Sequence, residues 1–522
     1  MSPRFFLCER NDMRKTRAVS RFLSLIQKRF VAILLLLLQL FLYAYFVFSS
    51  SKLSGVVTAF FWVLGIAVAL CVVTRKGDTA YKLAWIFFIL AFPLFGGFLY
   101  LLLVGNLSQW RFKRKVATSV ASLPQGLRLA GESDALGRER REIRYLTETL
   151  SFSLYDGTDA AFLPSGEEMF KELKQMLRGA ERYIFLEFFI VSEGEMWGEI
   201  LDILEEKAKN GVTVRVIYDD MGSLFSLPSR YKNRLTQLGI DAYAFNPFVP
   251  FLRLEQNNRD HRKIAVADGK VAITGGVNLA DEYINRIDKH GHWNDAAVMV
   301  SGKAAWALTV FFLHMWEVCA GKREDVAFFL PTGGFGVFPR IEGGVVPYAD
   351  DPTDDEAVGE QVYLHMITSA RRYVYITTPY LIIDDKMLCA LTSAAKSGVD
   401  VRVVLPHHWD KRIVHATTRT YYRELIRAGV RVYEYTPGFM HAKTVVSDDE
   451  VATVGTVNFD FRSLYLHFEC GVLFYHHPVI RDVKENFLRI TECSEEIRIL
   501  PRQKGLLARL WASLLRLFSP LM

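Results

Sequence analysis

Apolar residues are concentrated near the start of this 522-residue chain, between residues 30 and 105. Residues 30–49 (FVAILLLLLQLFLYAYFVFS) carry no charge, and after a short polar break residues 55–73 form a second uncharged run. Each run is long enough to cross about 30 Å of hydrocarbon as a helix. We predict two membrane spans here and not a cleaved signal peptide, because the first run is too long and no small-residue cleavage site precedes the second.

A third apolar run, residues 83–105, has Pro93 and two glycines near its centre. These residues favour a break, so the run either crosses the bilayer or turns back as a re-entrant hairpin. Basic residues cluster in residues 1–29, after the second run and after the third, and the positive-inside rule places all three clusters in the cytoplasm. Two spans and a hairpin satisfy this rule, whereas three full spans do not. We therefore expect a multi-pass module over residues 30–110, with a cytoplasmic N-terminus and a cytoplasmic catalytic domain.

From about residue 150 the pattern changes to amphipathic helices that alternate with short apolar strands, which is typical of an α/β fold. The pattern occurs twice, so we predict two similar units, residues 150–335 and residues 340–500, that pack face to face with pseudo-twofold symmetry. The similar segments are 179–191 and 369–381, 210–220 and 397–407, and 239–248 and 429–438.

Residues 501–522 end the chain with leucines and Trp511 at helical spacing, and with Arg509 and Arg516 elsewhere on the helix. This spacing predicts an amphipathic helix with one apolar face. Such a helix either lies in a membrane interface or docks on the protein core, and the pattern fits both environments because each covers one apolar face.

The duplicated part carries one motif twice, as HRKIAVAD at residues 261–268 and as HAKTVVSD at residues 441–448. Both copies have the pattern His-x-Lys-x-x-x-x-Asp, and side chains two apart in a strand face the same way. A turn signal follows each strand, and each returning strand ends in a glycine-containing segment and an asparagine. As two facing hairpins, the copies would gather six side chains able to hold a phosphate: His261, Lys263, Asn278, His441, Lys443 and Asn458.

Two facing copies place two histidines across a phosphate-sized gap, so that one can attack phosphorus while the other protonates the leaving alcohol. The lysines and amides would neutralise the charge, so this chemistry needs no metal ion. Asp268 and Asp448 complete the motif and are counted with its catalytic residues. However, seven residues of strand, roughly 20 Å, separate each aspartate from its histidine, which favours a structural contribution at the hairpin tips.

At these residues the sequence resembles the phospholipase D superfamily, and most of all the bacterial cardiolipin synthases. The resemblance implies two phospholipase-D-like sandwich domains that share one active site and follow a transmembrane module. It also implies transfer of a phosphatidyl group from one phosphatidylglycerol to another, giving cardiolipin and glycerol through a phosphatidyl-histidine intermediate. The segments that carry it are 259–285, 291–302, 377–385 and 441–469.

The same resemblance implies a role for each residue of the site. His261 would be the nucleophile and His441 the general acid and base, although the near-symmetric motifs leave open which histidine attacks first. Asp295 and Glu469 would each orient the histidine of the opposite copy through its far imidazole nitrogen. The phosphate would be bound by Lys263, Lys443, Asn278 and Asn458.

Composition changes this picture little. The net charge of +6 suits an anionic lipid surface but is equally ordinary for a chain of this length. The six cysteines lack a C-x-x-C spacing, and the remaining histidine pairs lack a third ligand nearby, which argues against a zinc site or another cofactor. We expect phosphatidylglycerol and other anionic phospholipids as partners at a bacterial cell membrane, whereas the pattern does not indicate an oligomeric state.

Other functions would use the same residues. With water as acceptor the protein would be a phospholipase D, and with serine a phosphatidylserine synthase; the apolar module and the extended resemblance favour the cardiolipin synthase. A nuclease would share the phosphodiester chemistry, but the chain has no basic–aromatic stripe for nucleic acid. A non-enzymatic membrane scaffold would be expected to have lost part of the motifs, and both are intact.

Overall fold

The computed structural model describes residues 41, 45, 52–75, 79–92, 96–97, 100, 107–121, 126–127, 140–248, 254–336, 341–498 and 505–521. The chain divides into two compact units. Met1–Arg111 and Phe248–Gln256 form the first unit, and Phe112–Pro247 and Asn257–Met522 form the second. Both histidine motifs belong to the second unit.

The described part of the first unit consists mainly of two apolar helices, α1 (Lys52–Thr74) and α2 (Thr79–Ala91). They pack together through a small cluster that includes Val68, Val72 and Ile89. Several large apolar side chains elsewhere on the two helices are exposed: Val56, Phe60, Val63, Ile66, Leu70, Val73, Leu83 and Phe87.

The three apolar runs predicted from the sequence fall in this unit, and the described helices cover them to different extents. Helix α1 contains the run 55–73, and α2 covers the start of the run 83–105 and ends two residues before Pro93. The run 30–49 lies outside the described residues except for Phe41 and Tyr45. Across the part of the chain that the structure describes, no helix combines the length and the apolarity needed to traverse a bilayer.

The second unit contains two mixed sheets. In chain order, the strands up to the middle of the chain are β1 (Tyr155–Asp156), β2 (Asp159–Leu163), β3 (Tyr183–Phe188), β4 (Thr213–Asp219), β5 (Asp241–Phe245), β6 (Lys263–Ala267), β7 (Val271–Gly275), β8 (His292–Asn294) and β9 (Ala297–Ser301). The later strands are β10 (Gly344–Asp350), β11 (Tyr373–Thr377), β12 (Leu381–Ile382), β13 (Asp400–Pro406), β14 (Arg431–Tyr435), β15 (Gly438–Met440), β16 (Thr444–Ser447), β17 (Val451–Gly455), β18 (Phe459–Asp460), β19 (Glu469–Tyr475) and β20 (Ser494–Glu496).

Helices follow or cover these strands. In chain order they are α3 (Leu107–Val120), α4 (Gly166–Gly179), α5 (Glu195–Lys209), α6 (Tyr231–Gln237), α7 (Lys303–Ala320), α8 (Val358–Ser369), α9 (Asp385–Lys396), α10 (Arg412–Ala428), α11 (Val479–Glu492) and α12 (Leu506–Leu517). Shorter helical turns lie at Arg141–Arg144, Tyr145–Thr149, Leu254–Asn257, Asp281–Ile284, Val326–Phe329, Phe461–Tyr465 and Ser519–Leu521. Several starts are explained by side-chain caps: Ser165 accepts from the Glu168 N–H at α4, and Asp384 accepts from the Met387 N–H at α9.

The two large sheets have the same strand order. The first runs β2-β9-β7-β6-β3-β4-β5, and the second runs β1-β10-β19-β17-β16-β11-β13-β14-β20. If β1 and β20 are set aside, each strand of the first sheet has its counterpart at the same place in the second. In both sheets, three strands run parallel to one another (β3, β4, β5 and β11, β13, β14). The next strand in each sheet, β6 or β16, follows the motif histidine in sequence and pairs antiparallel with this group. The predicted α/β fold with two similar halves is therefore confirmed.

One hydrophobic cluster joins the two halves, and a second cluster lies almost entirely within the first half. Helix α7 is buried from Ala304 to Val318 and contacts β5, β6 and β7 of the first sheet and β10 of the second. A single cluster of buried residues includes Val298 from β9, Phe312 from α7 and Val472 from β19. Central strands covered on both faces explain why β3 and β6 are apolar at nearly every position and do not alternate.

Two short pairings between the halves bring the motifs close to each other. Strand β8 runs parallel to β15, with Asn294 opposite Met440, so the chain just before Asp295 lies beside the chain just before His441. This approach is close enough to require a glycine, because a Cβ on Gly438 would lie 2.2 Å from the His292 carbonyl oxygen. On the other side, an isolated bridge pairs Asp260 with Phe468, next to His261 and Glu469.

The aspartates at the ends of the motifs occupy the tight turns between β6 and β7 and between β16 and β17. Asp268 and Gly269 both have positive φ (55° and 67°), as do Asp448 and Asp449 (58° and 63°), and hydrogen bonds from Lys270 N–H to the Ala267 carbonyl oxygen and from Glu450 N–H to the Ser447 carbonyl oxygen close the two turns. The Asp268 carboxylate accepts hydrogen bonds from three consecutive N–H groups at 2.8 Å, those of residues 181–183. Asp448 accepts from residues 371–373 at 2.7–2.9 Å. Each aspartate therefore fastens its hairpin to the start of the strand next to it in the sheet, β3 for Asp268 and β11 for Asp448.

We predict that Asp268→Asn lowers the free energy of unfolding by about 2–4 kcal/mol, because hydrogen bonds to a buried carboxylate are weakened or lost. Chemical denaturation of the purified protein measures this loss. The protein that remains folded should keep most of its catalytic turnover, since Asp268 lies at the hairpin tip. Asp202→Asn, on the exposed face of α5, is the matched control and should leave stability unchanged. Wild-type stability combined with lost turnover in Asp268→Asn would contradict the structural assignment.

Candidate active site

The two motif histidines are held by backbone hydrogen bonds to the opposite half. His261 lies two residues before the start of β6, and its N–H donates to the carbonyl oxygen of Phe468 at 2.9 Å. His441 lies between β15 and β16, and its N–H donates to the carbonyl oxygen of Asn294 at 2.7 Å. Phe468 and Asn294 each precede the acidic residue of their half. Each histidine is therefore fastened one residue away from the acid that belongs to the other motif.

The side chains complete two crossed pairs. His261 Nδ1 lies 2.9 Å and 3.0 Å from the two carboxylate oxygens of Glu469, and His441 Nδ1 lies 2.6 Å from Asp295 Oδ2. Both carboxylates are fully buried, and each histidine is 7% exposed. When a carboxylate accepts from Nδ1–H, the lone pair of the imidazole lies on Nε2, which is the nitrogen left to react.

The motif lysines are buried beside their own histidines. Lys443 Nζ lies 2.8 Å from His441 Nδ1 and 3.1 Å from Nε2, and it also contacts the His441 carbonyl oxygen. Lys263 Nζ donates to the His261 carbonyl oxygen at 2.6 Å. Both lysines are 1% exposed, so two cationic groups lie inside the protein next to the two imidazoles.

Burial and mutual repulsion move the pKa values of these bases downward. Burial, reinforced by the charge of Lys443, lowers the pKa of His441 to about 4. Burial and then Lys263 lower the pKa of His261 well below its usual value. The pKa of Lys443 falls to about 7 and that of Lys263 to about 8, in both cases mainly because of burial. At neutral pH, both imidazoles are therefore neutral, and both lysines are close to titration.

The pKa values of the two acids, Asp295 and Glu469, are shifted in opposite directions. Burial by itself would raise the pKa of Asp295, but His441 and Lys443 outweigh it and hold this pKa below its usual value. For Glu469 burial prevails and raises the pKa well above its usual value, despite Lys263 and a hydrogen bond from the Thr456 hydroxyl. A local packing difference accompanies this contrast. Gly276 leaves room for Asp295, since a Cβ there would lie 2.0 Å from Asp295 Oδ1, whereas the second copy has Thr456 at the corresponding position.

The asparagines of the motifs are buried at the ends of the hairpins. Asn278 accepts from the Ile190 N–H at 3.0 Å and donates to the Tyr283 hydroxyl at 2.7 Å. The Tyr283 ring in turn packs edge-on against the His441 ring, with centroids 5.3 Å apart. Asn458 donates to Asp460 at 3.2 Å, and its Oδ1 is buried without a hydrogen-bond partner among the described residues.

The structure thus brings together eight of the ten predicted site residues: His261, Lys263, Asn278, Asp295, His441, Lys443, Asn458 and Glu469. Asp268 and Asp448 are not among them, because their carboxylates bind backbone N–H groups at the starts of β3 and β11.

Sequence reasoning did not single out two aromatic neighbours of the site, Tyr283 and His467. The His467 ring lies 5.4 Å from the His261 ring, and its position two residues before Glu469 in the sequence was the available signal.

A metal ion has one candidate position within the described residues, at His261, His467 and Glu469, whose ligand atoms lie within 4.8 Å of one another. The donor types suit zinc. The nearby charges do not suit a divalent cation, because the positive charges of Arg462, Lys263 and Arg259 lie close enough to His467 to lower its pKa. These surroundings fit an anion better than a divalent cation, and we assign no step to a metal.

The motif-containing parts of the chain match a known family. The family described as cardiolipin synthase, PLD-like domain, matches residues 173–316 and 363–491, and a phospholipase D-nuclease N-terminal family matches residues 60–104. A cardiolipin synthase from Alkalihalophilus pseudofirmus is 34% identical over 91% of this chain and 95% of its own length. An uncharacterized protein from Streptococcus mutans is 40% identical over 88% of this chain and all of its own length.

A solved structure has a similar fold. Phosphatidylserine synthase from Haemophilus influenzae superimposes with a TM-score of 0.56 and 14% identity, over 73% of this chain and all of that chain. At this identity the likeness concerns the fold alone.

We predict that sulfate, a dianion whose charge is constant near neutrality, binds this site more weakly as the pH rises from about 6 to about 9. Lys443 and Lys263 are cationic below their pKa values of about 7 and about 8, so the attraction is present at low pH and lost as the pH rises through these values. Isothermal titration calorimetry should show affinity falling by about tenfold per pH unit at the upper end.

Lys443→Arg and Lys263→Arg serve as the matched variants, because a guanidinium stays charged throughout this range. Each should flatten the pH dependence. If sulfate affinity fell equally steeply in both variants, the buried lysines would not be its cause.

Proposed function

The chain belongs to the cardiolipin synthase family of phospholipase-D-like enzymes, and from this membership we propose that it converts two phosphatidylglycerol molecules into cardiolipin and glycerol. It is a phosphatidyltransferase. The observation that supports the proposal best is the crossed arrangement of the two histidine–carboxylate pairs. Each pair takes one residue from each half, so we assign residues 150–335 and 340–500 to the two halves of one catalytic unit.

In the first step, Nε2 of His261 attacks the phosphorus of one phosphatidylglycerol. The N–P bond forms, the bond from phosphorus to the glycerol oxygen breaks, and His441 gives its proton to that oxygen. His441 must be protonated for this step. The buried carboxylate of Asp295 and the negative charge of the arriving phosphodiester both favour the imidazolium, which offsets the burial that lowers the pKa in the free protein.

In the second step, His441 changes from general acid to general base. His441, now neutral, accepts the proton of a hydroxyl group on a second phosphatidylglycerol. That oxygen attacks phosphorus, and the N–P bond to His261 breaks. Glu469 supports both steps, because the imidazole of His261 becomes positively charged in the phosphatidyl intermediate and donates its Nδ1–H to the carboxylate.

The remaining polar groups would stabilise charge on the phosphoryl oxygens. Lys263 and Lys443 are buried, so their charges act through little water and are strong at short range. Asn278 and Asn458 end the returning strands of the two hairpins and complete the set of donors that we assign to phosphate binding.

The experiment that tests this function uses purified protein in mixed micelles with phosphatidylglycerol that is labelled both in its acyl chains and in its headgroup glycerol. Cardiolipin together with free glycerol is the expected result. Phosphatidic acid alone would mean that water is the acceptor, and the chain would then act as a phospholipase D. Transfer to serine when serine is added would identify the phosphatidylserine synthase activity as the alternative.

We predict that His261→Ala abolishes turnover and that no lipid label remains on the protein after denaturation at alkaline pH, where a phosphoramidate is stable. His441→Ala should slow turnover by a factor of about 10²–10⁴, the usual contribution of general acid–base catalysis, but should retain protein-bound label. His477→Ala is the control, because His477 is equally buried in the second half but bonds the Thr158 carbonyl oxygen away from the site. Label on His261→Ala but not on His441→Ala would reverse the roles of the two histidines.

We also propose that the chain works at the bacterial cell membrane as a multi-pass protein with its catalytic unit in the cytoplasm. The uncharged runs 30–49, 55–73 and 83–105, the basic clusters beside them and the exposed apolar side chains of α1 support this. A substrate with two acyl chains also requires an enzyme that meets a lipid surface.

The C-terminal helix α12 supports contact with such a surface. It docks on α10 through Leu515, which is 6% exposed, and through Arg516, whose guanidinium lies 4.4 Å from the centre of the Tyr421 ring. The opposite side of α12 is apolar and exposed to solvent. The helix therefore packs on the protein with one side and presents an apolar surface on the other. The residues on the open side are Leu506, Leu507, Leu510, Trp511 and Leu514, all between 42% and 83% exposed.

We predict that Leu507→Glu and Trp511→Glu, made separately, each weaken activity on phosphatidylglycerol vesicles by about tenfold or more, because each change removes apolar area that would contact the lipid and adds a negative charge. Turnover of lipid dispersed in excess detergent should change less than twofold. Ser513→Glu, on a different side of α12, is the control with the same charge. Equal activity of all three proteins on vesicles would show that this face does not meet the lipid.

A further inference from the structure

His467 is a buried histidine to which the mechanism above gives no role. The residue is 9% exposed, and neither Nδ1 nor Nε2 has a hydrogen-bond partner among the described residues. A buried donor without a partner costs roughly 1–3 kcal/mol, so such groups are rare unless something else uses them.

The position of His467 is well defined by its backbone. Its N–H donates to the Arg462 carbonyl oxygen at 2.9 Å, and the next residue, Phe468, bonds in both directions to the segment that carries His261. The His467 ring lies 5.4 Å from the His261 ring, and His467 Nδ1 lies 3.8 Å from Glu469. A phosphorus atom within attacking distance of His261 would therefore have oxygens within reach of the His467 imidazole, since hydrogen bonds span about 3 Å.

The electrostatic surroundings of His467 are those of an anion site. Burial lowers its pKa well below the usual value, and four cations lower it further: Arg462, Lys263, Arg259 and Lys411. At neutral pH the ring is thus neutral, with one N–H donor and one lone pair. Several positive charges around an unused N–H donor attract a negatively charged acceptor.

We propose that His467 is a substrate-binding residue, whose imidazole N–H donates to an anionic oxygen of the lipid phosphodiester that His261 attacks. This assignment rests on the proposed function for the identity of the lipid, but not for the binding of its phosphate. It accounts for the unused N–H donor of the buried ring, for the distance to His261 and for the surrounding cations together. It also adds a third imidazole to a site for which the repeated motif supplies only two.

The test compares two substitutions at His467. His467→Phe keeps the size and shape of the ring but removes the donor, whereas His467→Asn keeps an N–H donor. Because the phenylalanine removes an unpaired polar group from the interior, it should leave the melting temperature unchanged or raise it. It should nevertheless lower kcat/KM for phosphatidylglycerol by about 10- to 100-fold, as expected for a lost hydrogen bond to a charged group. His467→Asn should lose much less.

His477 is the matched control in the same half. Both of its ring nitrogens are used, one towards the Thr158 carbonyl oxygen and one towards the Val479 N–H. His477→Phe should therefore show the opposite pattern, with a lower melting temperature and unchanged kcat/KM in the protein that remains folded.

Sulfate binding measured by calorimetry separates this proposal from the proposed function, because it requires no lipid. Weaker sulfate binding by His467→Phe, with affinity retained in His467→Asn, supports the binding role even if the lipid product is phosphatidic acid and not cardiolipin. Unchanged sulfate affinity and unchanged turnover in His467→Phe would overturn it and leave a purely structural residue. Tight zinc binding by the wild type that His467→Phe abolishes, with sulfate affinity unaffected, would also overturn it in favour of a metal site.

Discussion

The crossed histidine–carboxylate pairs are the constraint on which the rest of the site depends. His441 meets Asp295 across 146 residues of sequence, and His261 meets Glu469 across 208. Neither half can supply a complete pair, so the two sheets must pack in one register for either imidazole to be oriented. The parallel pairing of β8 with β15 and the bridge between Asp260 and Phe468 fix that register at the two places where it matters.

Charge balance explains why so many ionisable groups can share a dry interior. Lys263 and Lys443 are two buried basic groups, and Asp295 and Glu469 are two buried acids, so each lysine has a group of opposite charge nearby. An unpaired charge buried here would be strongly destabilising. The two lysines still have lowered pKa values, which means that their desolvation is only partly offset in the free protein. An anionic phosphodiester would complete the compensation, and this favours binding of the substrate class that the family membership indicates.

The two halves are similar, but their acidic residues differ in length and in packing. The first half has the shorter acid, Asp295, packed on Gly276, and the second has the longer acid, Glu469, hydrogen-bonded by Thr456. The electrostatic consequence is opposite in sign, because the pKa of Asp295 is held down while that of Glu469 is raised. A duplicated fold can therefore give two histidines unequal environments, which a reaction with one nucleophile and one proton carrier requires.

The sequence by itself determined what is periodic or local. Amphipathic spacing and repeated segments predicted the duplicated α/β fold, and the turn residues Asp268-Gly269 and Asp448-Asp449 predicted hairpins whose tips the structure places away from the histidines. The domain limits and the apolar run 30–49 remain predictions. The family resemblance, and no local pattern, implied that each acid pairs with the histidine of the opposite copy. Only the tertiary structure decided how these pairs are packed, how far burial shifts the pKa values, and that His467 has no hydrogen-bond partner among the described residues. The physical reason is that pairing between distant strands and loss of water around a side chain depend on the whole packed chain, and no local pattern encodes them.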